Sequence, residues 1–517
     1  MVEGKMKNRT IIKILPGEYW WGGACFDGIK MPFGSKSDFV RDLNPNSTMN
    51  QAAPLLLSDK GRYIWSDTGF SVSVKNGEIG IENESGEVSL CEGYATLRGA
   101  YLAAMKTHFP PRGKRPPDIF FAKPQFNSWI EMTYYQTQAD LETYAENLRK
   151  AGYDCGVFMI DSGWAPYYGK WEFNAGTFPD PAKMVEKLHG FGFKVMLWTC
   201  PFITPDTLEF RYLRDRGLLL KDKTGKPAIV EWWDGFSAAL DFTNPQTEEW
   251  YLSQNEALMR RYGVDGFKFD AGDAMYYEGL VSSDGKTDAN GHCELWAKIA
   301  AKYEYNELRA CWRCGNLPIV QRLCDKSHSW GENGLRALVP DILAQGIIGH
   351  AFGCPDMIGG GNFVDFTAET MKHLDTELVV RYAQCSALMP MMQFSAAPWR
   401  VLPQAENEIC LQMARLHEQF GKKIIALADE SKETGEPIVR YMEYVFPAQG
   451  FADCIDQFML GNDVLVAPVL EKEIRHREVK LPCGRWKFTD GTVYNGGQIV
   501  TVDSPLHVLP YFEKCGK

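Results

Sequence analysis

The feature that most constrains the fold is an alternation of strand and helix patterns through the middle of the chain. Short apolar segments alternate with segments that carry the 3.6-residue period of an amphipathic helix, as in Gln138–Arg149. This alternation predicts parallel βα units and an α/β class of fold. We assign seven strands, at 125–130, 155–160, 194–198, 266–270, 307–312, 347–352 and 388–394. With an irregular eighth strand near 325–330, the pattern predicts a (β/α)8 TIM barrel.

The segments on either side of the barrel have β patterns. Residues 1 to about 105 contain short alternating segments such as Phe70–Val74, separated by turn residues. A stretch rich in proline and basic residues, Phe109–Pro117, is typical of a linker. From about residue 435 short strand patterns and turns return. We therefore predict an N-terminal β-sandwich domain at 1–112, the barrel at 113–430 and a C-terminal β-sandwich domain at 431–517.

The composition argues against two classes of partner and indicates a cellular location. The formal charge is −11 and the pI about 5.5, which argues against a nucleic acid or an anionic membrane as partner. The 14 cysteines include a lone CxxC at 311–314, a weak signal for zinc or redox chemistry. The apolar run Ile11–Leu15 is too short for a secretory signal or a membrane span. We expect a cytoplasmic protein with reduced thiols.

One predicted strand ends in a group suited to catalysis. Residues 263–273 read Gly-Val-Asp-Gly-Phe-Lys-Phe-Asp-Ala-Gly-Asp. Barrel enzymes carry their catalytic groups at the C-terminal ends of the strands, which is where Asp270 falls. Lys268 is expected on the same face of the strand, where its charge favours an ionised Asp270. The alternative is that Asp265, Asp270 and Asp273 are only turn and cap residues, and this segment alone does not decide between the two.

Polar and aromatic residues follow the other predicted strands as well. They are Trp129, Glu131, Asp161, Trp164, Trp198, Arg309, Trp312, Asp325, Trp330, Asp356, Gln393 and Trp399. Carboxylates accept hydrogen bonds from sugar hydroxyls, and indoles cover the apolar CH faces of sugar rings, so the set suits a neutral, hydroxyl-rich ligand. A phosphate site is disfavoured because there is no glycine-rich phosphate loop. A metal site built from Asp265, Asp270 and Asp273 stays open as an alternative.

Four of these motifs resemble glycoside hydrolase family 31. The 263–273 segment is similar to the family's nucleophile motif, and Trp330 follows Asp325 at the offset of the family's acid/base motif. Arg309 matches an arginine near the active centre, and Asp356, in Pro-Asp-Met-Ile-Gly-Gly, matches a sugar-binding aspartate. Arg322-Leu-Cys stands where the family usually has Trp-x-Gly. The motifs are most similar to the branch that contains α-galactosidases and the myogenesis-regulating glycosidase.

The resemblance implies a retaining, exo-acting α-glycosidase that hydrolyses a terminal α-linked hexose, with an α-galactoside favoured, by double displacement through a glycosyl-enzyme intermediate. An α-glucosidase, an α-xylosidase, a non-catalytic carbohydrate-binding barrel and a metal-dependent barrel lyase or isomerase are the alternatives. The partner is an oligosaccharide or other small glycoside, no cofactor or metal is required, and a homo-oligomer is left open.

The resemblance also assigns roles to individual residues. Asp270 is the nucleophile and Asp325 the acid/base, with their carboxyl groups about 5–5.5 Å apart. Asp325 is expected to hold a proton, either because Trp330 shields it from water or because other carboxylates lie near it. The remaining substrate-binding candidates are Trp129, Asp161, Trp164, Trp198, Lys268, Arg309, Trp312 and Asp356.

Overall fold

Eight short parallel strands form a barrel at the centre of the computed structural model, which describes residues 8–516. In chain order they are Gln125–Asn127, Val157–Ile160, Lys194–Thr199, Gly266–Phe269, Tyr305–Leu308, Val320–Arg322, Gly353–Cys354 and Gln393–Phe394. Strands one to seven pair in parallel, each with the next, and the eighth pairs in parallel with the first. A bridge between Met357 and Gln393 joins the seventh strand's end to the eighth strand. The predicted (β/α)8 fold is confirmed.

Helices follow seven of the eight strands. They are Gln138–Lys150, Pro181–Phe191, Pro245–Tyr262, Ala289–Ala300, Leu335–Ile347, Thr376–Ala387 and Gln404–Thr434. Local signals set their ends: Asn244 caps Pro245–Tyr262 by accepting from the backbone N–H of Gln246, and Gly263 ends that helix at a φ of +76°. In the described chain, the connection between the fifth and sixth strands has no helix. Ala52 of the N-terminal domain pairs there with Trp312 instead.

Further helical segments lie in the connections and flanking domains. The α-helical ones are Leu97–His108, Asp118–Ala122, Trp129–Met132, Leu208–Asp215, Pro398–Val401 and Met442–Val445. The 3-10 segments are Cys25–Lys30, Ala274–Tyr277, Phe363–Phe366 and Thr370–His373. Within residues 8–516, no helix is both long and apolar enough to cross a bilayer.

Two of the predicted barrel strands were placed wrongly. The segment 347–352 begins at the last residue of helix Leu335–Ile347, and the strand is only Gly353–Cys354. All residues of that helix except Arg336 are buried, and its apolar sequence continues beyond its end into Ile348. A short apolar run at the end of a buried helix has the same pattern as a buried strand. The irregular strand expected near 325–330 lies earlier, at Val320–Arg322, which places Asp325 just beyond its C-terminal end.

The N-terminal domain is a sandwich of two four-stranded antiparallel sheets. One sheet has the order Asn8–Lys13, Glu78–Asn83, Ser71–Lys75 and Phe39–Asp42; the other has Trp20–Ala24, Ala52–Ser58, Tyr63–Ser66 and Val88–Cys91. The β pattern expected up to about residue 105 is wrong at its end, because helix Leu97–His108 follows the last strand. That helix buries Ala100, Tyr101 and Ala104 in the main core.

The C-terminal domain has its own hydrophobic core, which includes Trp486 and Phe512. Its six-stranded sheet has the order Val439–Arg440, Phe458–Leu460, Val464–Val466, Tyr511–Lys514, Arg485–Phe488 and Val493–Asn495. A second sheet pairs His476–Leu481 with Gln498–Asp503. The predicted boundary at 430/431 falls inside helix Gln404–Thr434.

A small sheet is inserted after the third barrel strand. Its strands, in spatial order, are Phe202–Ile203, Gly235–Ala239 and Ile229–Trp232. The hairpin Ile229–Ala239 carries Trp233 to the C-terminal end of the barrel, where the ring lies beside Arg309.

Candidate active site

Asp270 lies directly after the fourth barrel strand with its carboxylate held on both sides. The indole N–H of Trp198 donates to Oδ2 at 3.1 Å, and Nε of Arg309 donates to Oδ1 at 3.1 Å. The backbone N–H of Ala271 also donates to Oδ1. These contacts fix the orientation of the carboxylate at the end of the barrel where barrel enzymes bind their substrates.

The surroundings of Asp270 keep it ionised. Burial alone raises the pKa of Asp270, but the positive charges of Arg309, Lys268 and Arg322 outweigh burial and hold that pKa well below its usual range. An ionised carboxylate with a fixed orientation is what a nucleophile requires. Lys268 contributes charge, as predicted, but the direct contact comes from Arg309.

Lys268 makes its own hydrogen bond to a different carboxylate. Its Nζ donates to Oδ2 of Asp161 at 2.6 Å, and both side chains are almost fully buried. The other oxygen of Asp161 accepts from the backbone N–H of Ser162. The structure therefore joins two predicted site residues, from the second and fourth strands, into one buried ion pair.

Asp325 and Asp356 share one cation, Arg322. Nη1 of Arg322 lies 2.7 Å from Oδ1 of Asp325 and 2.7 Å from Oδ1 of Asp356. The side chain of Asp325 is 42% exposed, whereas that of Asp356 is fully buried. Burial, together with the negative charge of Asp325, raises the pKa of Asp356 to about 7 even though Arg322 opposes the rise. Asp356 also has a φ of +85°, a backbone conformation that is uncommon for residues other than glycine.

Lys326 anchors the loop that carries Asp325. Its backbone N–H donates to Oδ2 of Asp356 at 2.8 Å, and its backbone carbonyl accepts from the N–H groups of Gly361 and Asn362. Its side chain is buried in an ion pair with Asp341 of helix Leu335–Ile347. Gly361 lies so close that a Cβ there would stand 3.0 Å from Cγ of Asp325. This packing defines where the Asp325 loop can lie.

Three of the predicted tryptophans lie at the site or directly beside it. Trp198 contacts Asp270, and Trp164 is buried behind it, donating to the backbone carbonyl of Trp198 at 2.9 Å. Trp129 donates to the carbonyl of Gly361, next to the Asp325 loop. Trp198 and Trp164 also line a cavity of about 370 Å³.

Two other predicted tryptophans make their contacts away from the two candidate catalytic carboxylates, and their binding of substrate stays a prediction. The indole N–H of Trp330 donates to Asp375 at 3.0 Å, and Asp325 stays partly exposed instead of being shielded by that ring. Trp312 is buried where the barrel meets Ala52 of the N-terminal domain. Among residues 8–516 we find no hydrogen bond or ring contact from Trp312 to Asp270 or Asp325.

The sequence interpretation missed several contributors to the site. Asp273 forms a two-pronged ion pair with Arg309, at 2.9 and 2.8 Å, and so fixes the arginine that holds Asp270. The ring of Trp233, 44% exposed, lies 5.3 Å from the guanidinium carbon of Arg309. The backbone carbonyl of Met49, from the N-terminal domain, accepts from Arg309. Asp273 lies within the motif; Trp233 and Met49 had no sequence signal.

The three aspartates considered as a metal site, Asp265, Asp270 and Asp273, do not lie together, because a barrel strand separates Asp265 from the other two. Asp265 lies at the opposite end of strand Gly266–Phe269 from Asp270, where it accepts from Lys194, His189 and the backbone N–H of Val195. Asp273 is paired with Arg309. In the part of the chain that the structure describes, no group of three or more His, Cys, Asp or Glu side chains is arranged to hold a metal ion.

The site as a whole is rich in charge, with an acidic excess. Its cations are Lys268, Arg309 and Arg322, and its acidic side chains are Asp161, Asp270, Asp273, Glu307, Asp325 and Asp356. Glu307 and Asp356, both fully buried, have pKa values raised by burial. Asp270 and Asp325 differ in surroundings: the first is buried between donors, and the second is half open to solvent. Such a pair can supply one fixed carboxylate and one that exchanges protons.

Two family models match the chain. The model described as "Glycosyl hydrolases family 31 TIM-barrel domain" matches residues 119–312, and "Glycosyl hydrolase family 31 C-terminal domain" matches residues 435–517. The first match contains Asp161, Lys268, Asp270 and Arg309; Asp325 and Asp356 lie between the two matches.

Known proteins resemble the chain in sequence and in fold. The myogenesis-regulating glycosidase of Mus musculus is 32% identical over 418 residues, which cover 79% of this chain and 58% of that protein. The chain spans about half the length of the curated relatives it matches. The glucose-bound GH31 dextranase of Flavobacterium johnsoniae superposes with a TM-score of 0.85 at 22% identity, covering 100% of this chain and 67% of that one. A xylose-bound GH31 α-xylosidase from a soil metagenome has a TM-score of 0.83 at 21% identity, covering 99% and 80%.

Proposed function

The chain belongs to glycoside hydrolase family 31, and we propose that it is a retaining, exo-acting α-glycosidase that removes a terminal α-linked hexose. Two models of that family match more than half of its residues between them, which confirms the family that the sequence motifs indicated. The observation that carries the proposal is the pair of unlike carboxylates, Asp270 and Asp325, at the C-terminal ends of barrel strands four and six.

In the proposed first step, Asp270 attacks the anomeric carbon while Asp325 gives its proton to the departing glycosidic oxygen. The C–O bond to the leaving group breaks, and an ester bond forms between the sugar and Asp270. Arg309 and Trp198 hold the attacking carboxylate in place, so little reorganisation is needed at the moment of reaction.

In the second step a water molecule attacks the same anomeric carbon as Asp325 takes its proton. The ester bond breaks and Asp270 leaves as a carboxylate, so two displacements return the original configuration. The partial exposure of Asp325 supports this role, because the residue must gain and lose a proton once in each cycle.

We propose an α-galactoside as the preferred substrate. The support is the sequence of the motifs, Phe-Lys-Phe-Asp-Ala-Gly at 267–272 and Pro-Asp-Met-Ile-Gly-Gly at 355–360, together with the absence of the Asp-Met-Asn-Glu form typical of α-glucosidases. The pocket's acidic excess favours a neutral sugar over an anionic one. An α-glucosidase or α-xylosidase is the second candidate, favoured by relatives that carry those names.

Hydrolysis of p-nitrophenyl α-glycosides tests the proposal. We would offer the galactoside, glucoside, xyloside and N-acetylgalactosaminide to the wild-type protein, with Asp270→Ala as the blank. Release from the galactoside alone supports both mechanism and sugar. Release of p-nitrophenol from the glucoside or xyloside instead would support the mechanism but contradict the proposed preference for galactose. If none of the four glycosides is hydrolysed but the protein still binds sugar, the result favours a non-catalytic carbohydrate-binding barrel.

A further inference from the structure

Arg322 is one of two residues, with Cys324, in which this chain departs from its family's acid/base motif, and it lies in the middle of the site. Building on the function proposed above, we propose that Arg322 is a specificity residue: its Nη2 atom and the carboxylate of Asp356 together bind one hydroxyl group of the sugar. Tryptophan is usual at this position in the family, and it offers an apolar face instead of this set of donors.

The contacts of Arg322 within the described chain leave one of its nitrogens, Nη2, free to donate a hydrogen bond to a ligand. Nη1 donates to Asp325, to Asp356 and to the backbone carbonyl of Leu323. Nε faces Glu307 at 3.5 Å and is buried without a hydrogen bond. Nη2 has no hydrogen-bond partner among residues 8–516, and yet it is not among their fully buried unpartnered atoms. Since the side chain as a whole is 2% exposed, this donor faces a small opening and not bulk solvent.

The opening belongs to the sugar site. Arg322 is close enough to both Asp270 and Asp356 for its charge to act on their pKa values. It also contacts Asp325, so it lies among the candidate nucleophile, the candidate acid/base and the candidate sugar-binding aspartate. A sugar placed for attack by Asp270 and protonation by Asp325 therefore has Arg322 as a neighbour.

A hydroxyl group matches what Arg322 and Asp356 offer. The oxygens of Asp356 accept from Arg322 and from the backbone N–H of Lys326, which leaves lone pairs for a further donor. A sugar O–H can donate to Asp356 and accept from Nη2 of Arg322 at once. A C–H group can do neither, so both charged groups would lose hydration without a replacement bond.

The guanidinium of Arg322 is held in one position, which lets it distinguish between sugars that differ at one hydroxyl. Asp325 and Asp356 both accept from Nη1 at 2.7 Å, and Glu307 lies 3.5 Å from Nε. The side chain therefore cannot move easily to bind a hydroxyl in a different position. The acidic side chains outnumber the cations here, which favours a neutral hydroxyl over an anionic group as the partner of Arg322.

Monodeoxy substrates test this assignment. We would measure kcat/KM for the p-nitrophenyl glycoside of the preferred sugar and for its 2-, 3-, 4- and 6-deoxy analogues, with wild-type protein, Arg322→Met and Arg322→Lys. For wild type, removing one particular hydroxyl should lower kcat/KM by about 10- to 100-fold, as expected for a hydrogen bond to a charged group.

The variants should lose only that one discrimination. Arg322→Met should keep only the part of that discrimination that Asp356 supplies, and it should keep the wild-type response to the other deoxy positions. Arg322→Lys keeps the positive charge but not the planar set of guanidinium donors. Its discrimination at that position should therefore fall between those of wild type and Arg322→Met. The same deoxy profile in all three proteins would overturn the assignment, since a purely structural role slows every substrate by one common factor.

A direct binding measurement covers the case in which Arg322→Met is too slow to assay. Calorimetric titration with the free sugar and its deoxy forms should then give the same pattern in dissociation constants, and an unchanged pattern would count against Arg322. Wild-type protein that hydrolyses no glycoside would overturn the proposed function and this inference with it. If the wild-type protein is active and all three proteins respond alike to the deoxy sugars, only the inference about Arg322 is overturned.

Discussion

Nε of Arg309 lies 3.1 Å from Oδ1 of Asp270, and this contact joins the fifth barrel strand to the fourth at the centre of the site. The remaining nitrogens of Arg309 are bonded to both oxygens of Asp273, which prevents the guanidinium from turning away. The nucleophile candidate is thus oriented by a cation that is itself fixed by a second carboxylate.

Removing the carboxylate of Asp270 is expected to abolish turnover without unfolding the protein. Asp270→Ala should lose nearly all hydrolysis, and sodium azide should restore some of it by attacking the substrate directly, giving a β-glycosyl azide from an α-glycoside. Product configuration can be read by NMR spectroscopy. Retention of more than a few per cent of wild-type turnover would contradict the nucleophile assignment.

Removing the carboxylate of Asp325 should have a different signature. Asp325→Ala is expected to slow substrates with poor leaving groups far more than activated aryl glycosides, because only the former need protonation. Azide should now attack the glycosyl-enzyme and give an α-glycosyl azide. An equal loss on both kinds of substrate would argue that Asp325 is not the acid/base.

Neutralising Arg309 should move the acidic limb of the pH profile. The charge of Arg309 helps to hold the pKa of Asp270 low, so Arg309→Gln raises that pKa and the acidic limb of kcat/KM moves to higher pH. Because the carboxylate also loses its orientation, kcat/KM should fall by about 100-fold. Arg313→Gln is the control, since Arg313 pairs with Glu294 instead. A limb that stays in place would show that Arg309 does not act on the nucleophile.

The buried pair of Lys326 and Asp341 should be important for stability. Lys326→Met leaves Asp341 buried and uncompensated, so the free energy of unfolding should drop by about 3–5 kcal/mol. The exposed pair of Lys30 and Glu332 supplies the control, because water screens that pair and Lys30→Met should leave the free energy of unfolding nearly unchanged. Urea denaturation measures both. Equal, small effects would contradict the predicted contribution of the buried pair to stability.

Stability should also depend on pH through Asp356. Its pKa is raised to about 7 in the folded protein from an ordinary value of 3.8, so the folded state binds the proton more tightly than the unfolded state. The free energy of unfolding contributed by this group therefore decreases as pH rises from about 4 to about 7. Asp356→Asn should flatten the dependence of Tm on pH in that window, whereas exposed Asp38→Asn should not. Parallel curves for wild type and Asp356→Asn would contradict the assignment of that pKa.

The parts of the site that could be predicted from the sequence are those with local signals. Asp270 was placed correctly because strand periodicity and a distinctive motif agree over residues 263–273. Partners that meet across the barrel have no such signal: Lys268 was expected beside Asp270, but its ammonium bonds to Asp161, 107 residues away. Such pairings depend on strand order and tilt, which local patterns do not encode.

The N-terminal domain's contribution could not be predicted for the same reason. The side chain of Gln51 donates to the backbone carbonyls of Arg309 and Arg322, across 258 and 271 residues. Arg322 itself was visible only as a departure from a motif. Its significance follows from the sixth strand ending at residue 322, three residues before Asp325. The sequence-based placement of that strand was too late in the chain for this to be seen.

Trapping the glycosyl-enzyme tests the central claim most directly. The wild-type protein would be incubated with the 5-fluoro glycosyl fluoride of whichever sugar the p-nitrophenyl panel identifies, then digested and analysed by mass spectrometry. We predict one sugar per chain, attached to the peptide that contains Asp270, and no adduct on Asp270→Ala. An adduct on another residue, or steady hydrolysis with no adduct under these conditions, would contradict the double-displacement account.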